Sequence, residues 1–237
     1  MKRIHVIFTA TILSLFACND SSKEKQEVQT SDTTVTTPVT ETAPAFVPFK
    51  VAMIQHHVMN FDKWKAGYVA HDSVRQAYGI SAYVIGRELK DSNSVIVIDK
   101  MTDVQKAKEF SSLPNLKEAM KKAGVNSVPT FSYIDVVRND DTKIDQKERI
   151  MIVHKVKDYD TWLKAYDREG KETRAANGLL DRGLGRGVDD PNMVYVVFAV
   201  TDMAKAKSRM SSAELKGIMT EAGVEGIPKF YMYKLVD

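Results

Sequence analysis

The chain has a single cysteine in 237 residues, so no disulfide can form within it and core packing must supply its stability. It lacks a long apolar run: the longest, Ile4 to Phe16, is 13 residues, where a membrane-spanning helix needs ~20. Aromatic residues make up only 8% and mean hydropathy is -0.28, which excludes a helical integral membrane protein. The 43% hydrophobic share is too high for a wholly disordered chain. Charge of one sign is also missing. Lys+Arg 34 stand against Asp+Glu 31, and without Lys2 and Arg3, which lie in a segment read below as removed, the balance is 32 against 31. No nucleic-acid footprint follows from that. There is no Gly-x-Ser-x-Gly, no phosphate-binding loop and no cluster with metal-ligand spacing. Gly183-Leu184-Gly185-Arg186-Gly187 is glycine-rich but belongs to a hairpin strand, not to a turn ahead of a helix.

The N-terminus carries an address. Lys2 and Arg3 form a positive segment ahead of the apolar run, which fits a secretory signal over 1–17. The run closes on Leu15-Phe16-Ala17-Cys18, which resembles the lipobox of bacterial lipoproteins. That resemblance implies cleavage before Cys18, diacylation of its thiol and anchoring in the cell envelope; the outer membrane is the expected site, with its periplasmic or surface face left open by Asn19 and Asp20. Two or three acyl chains hold far better than one, at ~0.8 kcal/mol per buried CH₂. Residues 18–47 are rich in Thr and Ser, with Pro38 and Pro44 and almost no large apolar side chain. Such a stretch cannot bury enough surface to offset its ordering entropy, so it reads as a flexible tether. Asp32-Thr33-Thr34 within it resembles the acceptor of one bacterial O-glycosylation system.

The remainder is one unit written twice. Met53-Ile54-Gln55-His56-His57-Val58 aligns with Met151-Ile152-Val153-His154-Lys155-Val156, and Phe61-Asp62-Lys63-Trp64 with Tyr159-Asp160-Thr161-Trp162, at an offset of 98. The offset then becomes 99: Gly86-Arg87 matches Gly185-Arg186, Ala123-Gly124-Val125 matches Ala222-Gly223-Val224, and Pro129 matches Pro228. The repeats span 48–138 and 148–237, joined by the polar linker 139–147.

Each repeat reads strand, helix, strand, strand, helix, strand. Val51 to Val58 alternates two faces, with Ala52, Ile54, His56 and Val58 on the more apolar one. Asn60 or Asp62, and Asp158 or Asp160, can cap the first helix of their copies. Phe61, Trp64 and Tyr68 then fall at i, i+3 and i+7 on one helical face. Asp91-Ser92-Asn93 and Asp190-Pro191-Asn192 are hairpin turns. Thr102 and Thr201 are placed to cap the second helix, which Pro114 breaks in the first copy and Gly124 or Gly223 ends. Pro129 and Pro228 are expected to open the last strand, where a missing N–H is tolerated. A βαββαβ order gives an antiparallel sheet with both helices on one face, the ferredoxin-like arrangement. The bare sheet faces of two copies can pack together. The expected fold class is therefore α+β: two ferredoxin-like repeats closing an intrachain pseudo-dimeric α+β barrel, expected to be monomeric because the pairing removes the need for a homodimer, without forbidding one.

The first strand ending in His-x-Val, the Asp-Tyr-Asp-x-Trp helix start, the Gly-Arg hairpin with Asp-Asp-Pro-Asn and the Leu-Lys-x-x-Met-x-x-Ala-Gly-Val helix end resemble the dimeric α+β barrel superfamily. The likeness is to its antibiotic-biosynthesis-monooxygenase-like and cyclase-like small proteins. It covers residues 50–237, and copy one departs from it at Asn60, Gly67 and Ser92. The resemblance implies the fold and leaves activity open, since relatives include cofactor-free oxygenases, haem-degrading enzymes and isomerases.

Three pairs of residues are candidates for chemistry. His56 and His154 occupy equivalent places on the first strand and would serve as acid–base groups or ligand contacts if that side faced the barrel cavity. A histidine hydrogen-bonded at the core edge explains them as simply. Trp64 and Trp162 could wall a planar ligand, although their helical spacing with Phe61/Tyr159 and Tyr68/Tyr166 points to core packing. Arg87 and Arg186 could fork onto a ligand carboxylate or pair within their own hairpin. His57 faces the opposite way from His56 and reads as solvated, like Lys155. The functional expectation is a non-catalytic binding module for a small, partly apolar ligand or a partner protein, without nucleic acid or required cofactor. The alternative is a cofactor-independent monooxygenase or isomerase, with haem bound through His56 or His154 as a thinner third reading.

Overall fold

The computed structural model describes residues 46–236, so Cys18, the signal segment 1–17 and most of the tether lie outside the described residues. In the first repeat β1 (Phe49–His57) leads through α1 (Phe61–Ala70) and α2 (Asp72–Ala77) to the hairpin β2 (Ile80–Glu88) and β3 (Ser94–Met101). It then passes through α3 (Val104–Ser111) and α4 (Pro114–Lys122) to β4 (Thr130–Asn139). The second repeat answers with β5 (Glu148–Val156), α5 (Tyr159–Glu169), α6 (Lys171–Ala176), β6 (Leu179–Gly187), β7 (Met193–Val200), α7 (Met203–Ser211), α8 (Ala213–Glu221) and β8 (Val224–Leu235). The eight strands close a barrel in the order β1-β3-β2-β8-β5-β7-β6-β4. No helix among the described residues is long and apolar enough to cross a membrane.

The repeats meet along two seams, β2 with β8 and β4 with β6. These seams explain why the Gly-Arg pair recurs. A Cβ on Gly86 would stand 2.3 Å from Cδ2 of Tyr233, and one on Gly185 would stand 2.5 Å from Cγ2 of Ile134. A side chain of the opposite repeat lies over each glycine, so nothing larger fits there.

Both faces of the sheet are covered, which divides each strand between two cores. Val51, Met53, Ile96, Ile134, Met151, Tyr195 and Tyr233 form one cluster, directed into the lumen. Val58, Phe61, Trp64, Val95 and Val97 form another beneath the helices, and Ile150, Val156, Tyr159, Trp162 and Val194 belong to its counterpart. The Ala52–Ile54–His56–Val58 face therefore looks outward to the helices. The cavity enclosed by the barrel belongs to the alternate residues, which corrects the conditional placement of His56 and His154 there.

Local signals hold with shifts of a residue or two. Asn60 Oδ1 accepts from Lys63 N and Asp158 Oδ1 from Thr161 N, both at 2.8 Å. At the second helix the cap is Asp103 or Asp202 rather than Thr102 or Thr201, accepting from Lys106 N at 2.9 Å and Lys205 N at 3.0 Å. Both residue types cap well, and the carboxylate also suits the positive helix end. The second helix breaks in both copies, at Pro114 and again at Ser212, whose Oγ accepts from Leu215 N at 3.2 Å. The first helix breaks too, at His71 and at Gly170. Gly124 and Gly223 follow the last helical turns with φ of 94° and 79°, the left-handed conformation glycine adopts without steric cost. Pro129 precedes β4 as expected, but Pro228 lies inside β8. There the ladder steps from Val153↔Lys229 to Lys155↔Glu225, so Pro228 needs no N–H. β4 runs to Asn139, which leaves 140–147 between the repeats.

Candidate functional site

Each repeat holds a gap of about 80 Å³ between helices and sheet. In the first it is lined by His56, Trp64, Tyr68, Arg75 and Asp99, and in the second by His154, Trp162, Tyr166, Arg174 and Phe198. The histidine and tryptophan of each copy do meet. Their ring centroids are 5.3 Å apart in the first repeat and 5.4 Å in the second. Trp64 and Trp162 stack in turn on Tyr68 and Tyr166 at 5.3 and 5.2 Å. Both tryptophans are buried core residues that also wall the gap, so the two readings of them coincide.

Both histidines are 7% exposed, and neither ring nitrogen of either has a protein hydrogen-bond partner. The hydrogen-bonded core-edge histidine is therefore not what the fold contains. Burial pushes both imidazoles down to about 4, so they are neutral near pH 7. An orphaned buried imidazole is uncommon and calls for a physical account.

Arg87 and Arg186 are not in these gaps. The Arg87 guanidinium lies 4.2 Å over the Phe61 ring and its Nε donates to Ser92 O at 2.5 Å; Arg186 lies 3.8 Å over Tyr159 and donates to Pro191 O at 2.9 Å. Each ties its own hairpin to its own helix, through the turn carbonyl rather than through Asp91 or Asp190. Those aspartates pair instead with His57 at 3.1 Å and Lys155 at 3.0 Å.

The two gaps differ in a way that only comparison of the repeats reveals. In the second, Arg174 is satisfied: Nε and Nη2 donate to Asp181 at 2.8 and 2.7 Å, and Nη1 donates to Tyr166 O at 2.8 Å. Asp181 pairs across the β6–β7 ladder with Phe198. The equivalent ladder pair in the first repeat is Ala82↔Asp99. The carboxylate stands on opposite sides of the ladder in the two repeats, beside the arginine in the second and on the floor of the gap in the first. There Asp99 is 3% exposed and accepts from Tyr68 Oη at 2.5 Å. Burial pushes its carboxyl up to about 6, against the opposing pull of Tyr68 and Arg75, while the same burial and the same carboxylate push the Tyr68 hydroxyl up. Arg75 lies 3.7 Å over the Tyr68 ring and bonds Tyr68 O at 2.6 Å and Asp72 at 2.8 Å. Its Nε is buried without an acceptor. Sequence reading missed Asp99 and Arg75. Their signal was the change of charge between positions that the repeat makes equivalent.

Comparison with solved structures gives the fold. A monooxygenase-like protein of Fusobacterium nucleatum matches at a TM-score of 0.52 and 13% identity, covering 81% of this chain and 93% of its own. An anthrone oxidase-like protein matches at 0.52 and 11%, covering 80% and 92%. A heme-binding protein of Thermus thermophilus matches at 0.50 and 12%, covering 81% and 92%. The fold is that of the dimeric α+β barrel proteins. At these identities the likeness extends to the fold alone. Scans against protein-family models and curated sequences give no match.

A haem does not suit either gap. About 80 Å³ is far below the ~300–1,000 Å³ of ordinary ligand pockets, and His56 and His154 lie against indole rings rather than an open face. Among the described residues no cluster of three His, Cys, Asp or Glu could hold a metal ion.

Proposed function

We propose that this is a lipid-anchored envelope protein that binds a small, largely apolar molecule carrying one hydrogen-bonding group, in the helix–sheet gap of the first repeat, without turnover. One observation carries the reading: Asp99 lies on the floor of this gap where the second repeat has Phe198, and Arg75 Nε is left there without a protein partner where Arg174 Nε donates to Asp181. The second gap shares the orphaned histidine and has its own orphan at Arg209 Nε, but its carboxylates, Asp181 and Glu169, are both paired with arginine, so we read it as scaffold. Anchoring is supported by the Lys2-Arg3 segment, the apolar run and Cys18 at its end. The 80 Å³ gap sets the ligand's scale at a single small ring, seated against Trp64.

A second reading, a cofactor-independent monooxygenase or isomerase, draws on the same set. A carboxyl near 6 can take up and return a proton, and a neutral imidazole lines the same gap four residues along the β1–β3 ladder. The His56 imidazole near 4 is a weak base at neutral pH, which favours binding over catalysis.

The test uses Trp64 fluorescence in a Trp162→Phe background, titrated with phenol and p-cresol while oxygen is recorded. Saturable quenching without oxygen uptake is expected, weakened at least tenfold by Asp99→Phe, which imports the side chain of the second repeat. Equal quenching in that variant would refute the site. Oxygen uptake that Asp99→Asn abolishes would establish the enzyme reading instead.

A further inference from the structure

The barrel lumen holds a separate cavity of about 230 Å³, walled by Val51, Met53, Ile134, Met151, Tyr195 and Tyr233. Its polar groups are concentrated on one arc. Arg149 reaches it from β5 and Arg182 from β6. Arg149 is 7% exposed, and its Nη1 donates to Gln146 O at 2.6 Å and Glu148 O at 3.1 Å. No carboxylate pairs with it among the described residues. Burial and the Arg182 guanidinium disfavour its charge, against the opposing pull of Tyr233. Arg182 donates to Thr142 O at 2.8 Å and stands 3.4 Å from Asp140, a carboxylate half exposed at the rim. Asp141 also lies at that rim, exposed.

A guanidinium buried without a counter-ion is costly, and the cost falls when an anion enters. The equivalent positions of the first repeat are Val51 and Tyr83, which line the same cavity and carry no charge. The second repeat alone placed two cations in an otherwise apolar lumen.

We propose that the lumen is a binding site for a small monocarboxylate with an apolar or aromatic tail, its carboxylate forked by Arg149 and Arg182. The planar guanidinium matches a carboxylate in two parallel hydrogen bonds. Asp140 and Asp141 at the rim disfavour doubly charged anions such as phosphate esters. The cavity equals about eight waters at ~30 Å³ each, which suits a benzoate- or hexanoate-sized acid and excludes long acyl chains. This site is independent of the helix–sheet gap.

The experiment is calorimetric titration of the mature chain with benzoate and hexanoate, with benzamide, hexanol, acetate and inorganic phosphate as comparisons. Both acids are expected to bind with a stoichiometry of one, at least tenfold more tightly than the neutral isosteres, acetate or phosphate. Arg149→Met and Arg182→Met, checked for folding by circular dichroism, should each weaken benzoate at least tenfold. Arg182 is the safer variant for folding because it is less deeply buried. Trp64 quenching by phenol is read on the same variants, so failure of this site and of the gap are told apart. Neutral isosteres binding as well as the acids, or no binding of either acid at 10 mM, would overturn the proposal. So would a folded Arg149→Met variant with undiminished affinity, which would leave Arg149 as a staple for the linker carbonyls.

Discussion

Asp99→Asn should make the protein more stable at neutral pH, against the usual outcome of a buried polar substitution. The folded carboxyl sits near 6 and the unfolded one at 3.8, a difference equivalent to about 3 kcal/mol at 1.36 kcal/mol per unit. Because the folded value is the higher, the native state holds the extra proton between pH 4 and 6. Stability from this group is thus present below pH 4 and lost as pH rises through 6. Asparagine keeps an acceptor for Tyr68 Oη and removes the charge. Urea unfolding of both proteins from pH 3.5 to 8.5 gives a difference curve in which all other titrations cancel. The variant should gain about 3 kcal/mol at pH 8, with the gain shrinking to near zero at pH 3.5. A variant less stable at pH 8, or a difference that grows on acidification, would show that the Tyr68 bond outweighs desolvation and would refute the reasoning.

His56 and His154 act in the opposite sense. Their folded values near 4 lie below the unfolded 6.5, so each contributes about 3 kcal/mol that is present above pH 6.5 and lost as pH falls toward 4. His154→Phe should remove about half of that acid loss, and an unchanged acid limb by circular dichroism would contradict the orphaned imidazole. Gly86→Ala drives a methyl into Tyr233 across the seam between repeats and should cost about 1–3 kcal/mol as overpacking, read by chemical denaturation. Gly217→Ala, which meets nothing within 4 Å, is its control and should be neutral or slightly stabilising. Trp162→Ala should cost about 3–5 kcal/mol by the same assay, because its indole is buried in the second core. In cells fed an alkyne fatty acid, the wild-type chain should take up label and Cys18→Ser should not; label in the variant would end the lipoprotein reading.

The duplication and the element order were legible because they rest on many residues in fixed register. The facing of β1 was not. Val51 and Met53 are as apolar as Ala52 and Ile54, since the sheet is buried on both sides, and a period of two then carries little contrast. The helix breaks at His71 and Ser212 lacked a proline to announce them. The caps moved by one residue because Thr and Asp stand side by side at 102–103, and both accept from the helix end. Arg87 and Arg186 were legible as functional candidates and proved to be hairpin ties. A forked cation beside an aromatic residue looks the same in sequence whether the ring belongs to a ligand or to the neighbouring helix. Asp99, Arg149 and Arg182 acquire meaning only from partners far away in the chain.

Fusion of the two repeats explains why these three residues exist at all. In a homodimer each position appears twice, once in each half of the barrel. Two copies of the second repeat would line the lumen with four guanidiniums and no buried counter-ion, and two copies of the first would line it with none. Asp99 is subject to the same constraint, since a symmetric pair would bury two carboxyls, each with its own desolvation penalty. One covalent chain lets Val51 and Tyr83 carry no charge opposite Arg149 and Arg182, and lets Phe198 line one gap while Asp99 furnishes the other. The polar investments of the two repeats are complementary. The first carries a buried acid in its helix–sheet gap, and the second carries buried cations in the shared lumen. A change that a dimer would be forced to make twice is made once here, with the unmodified repeat holding the barrel closed.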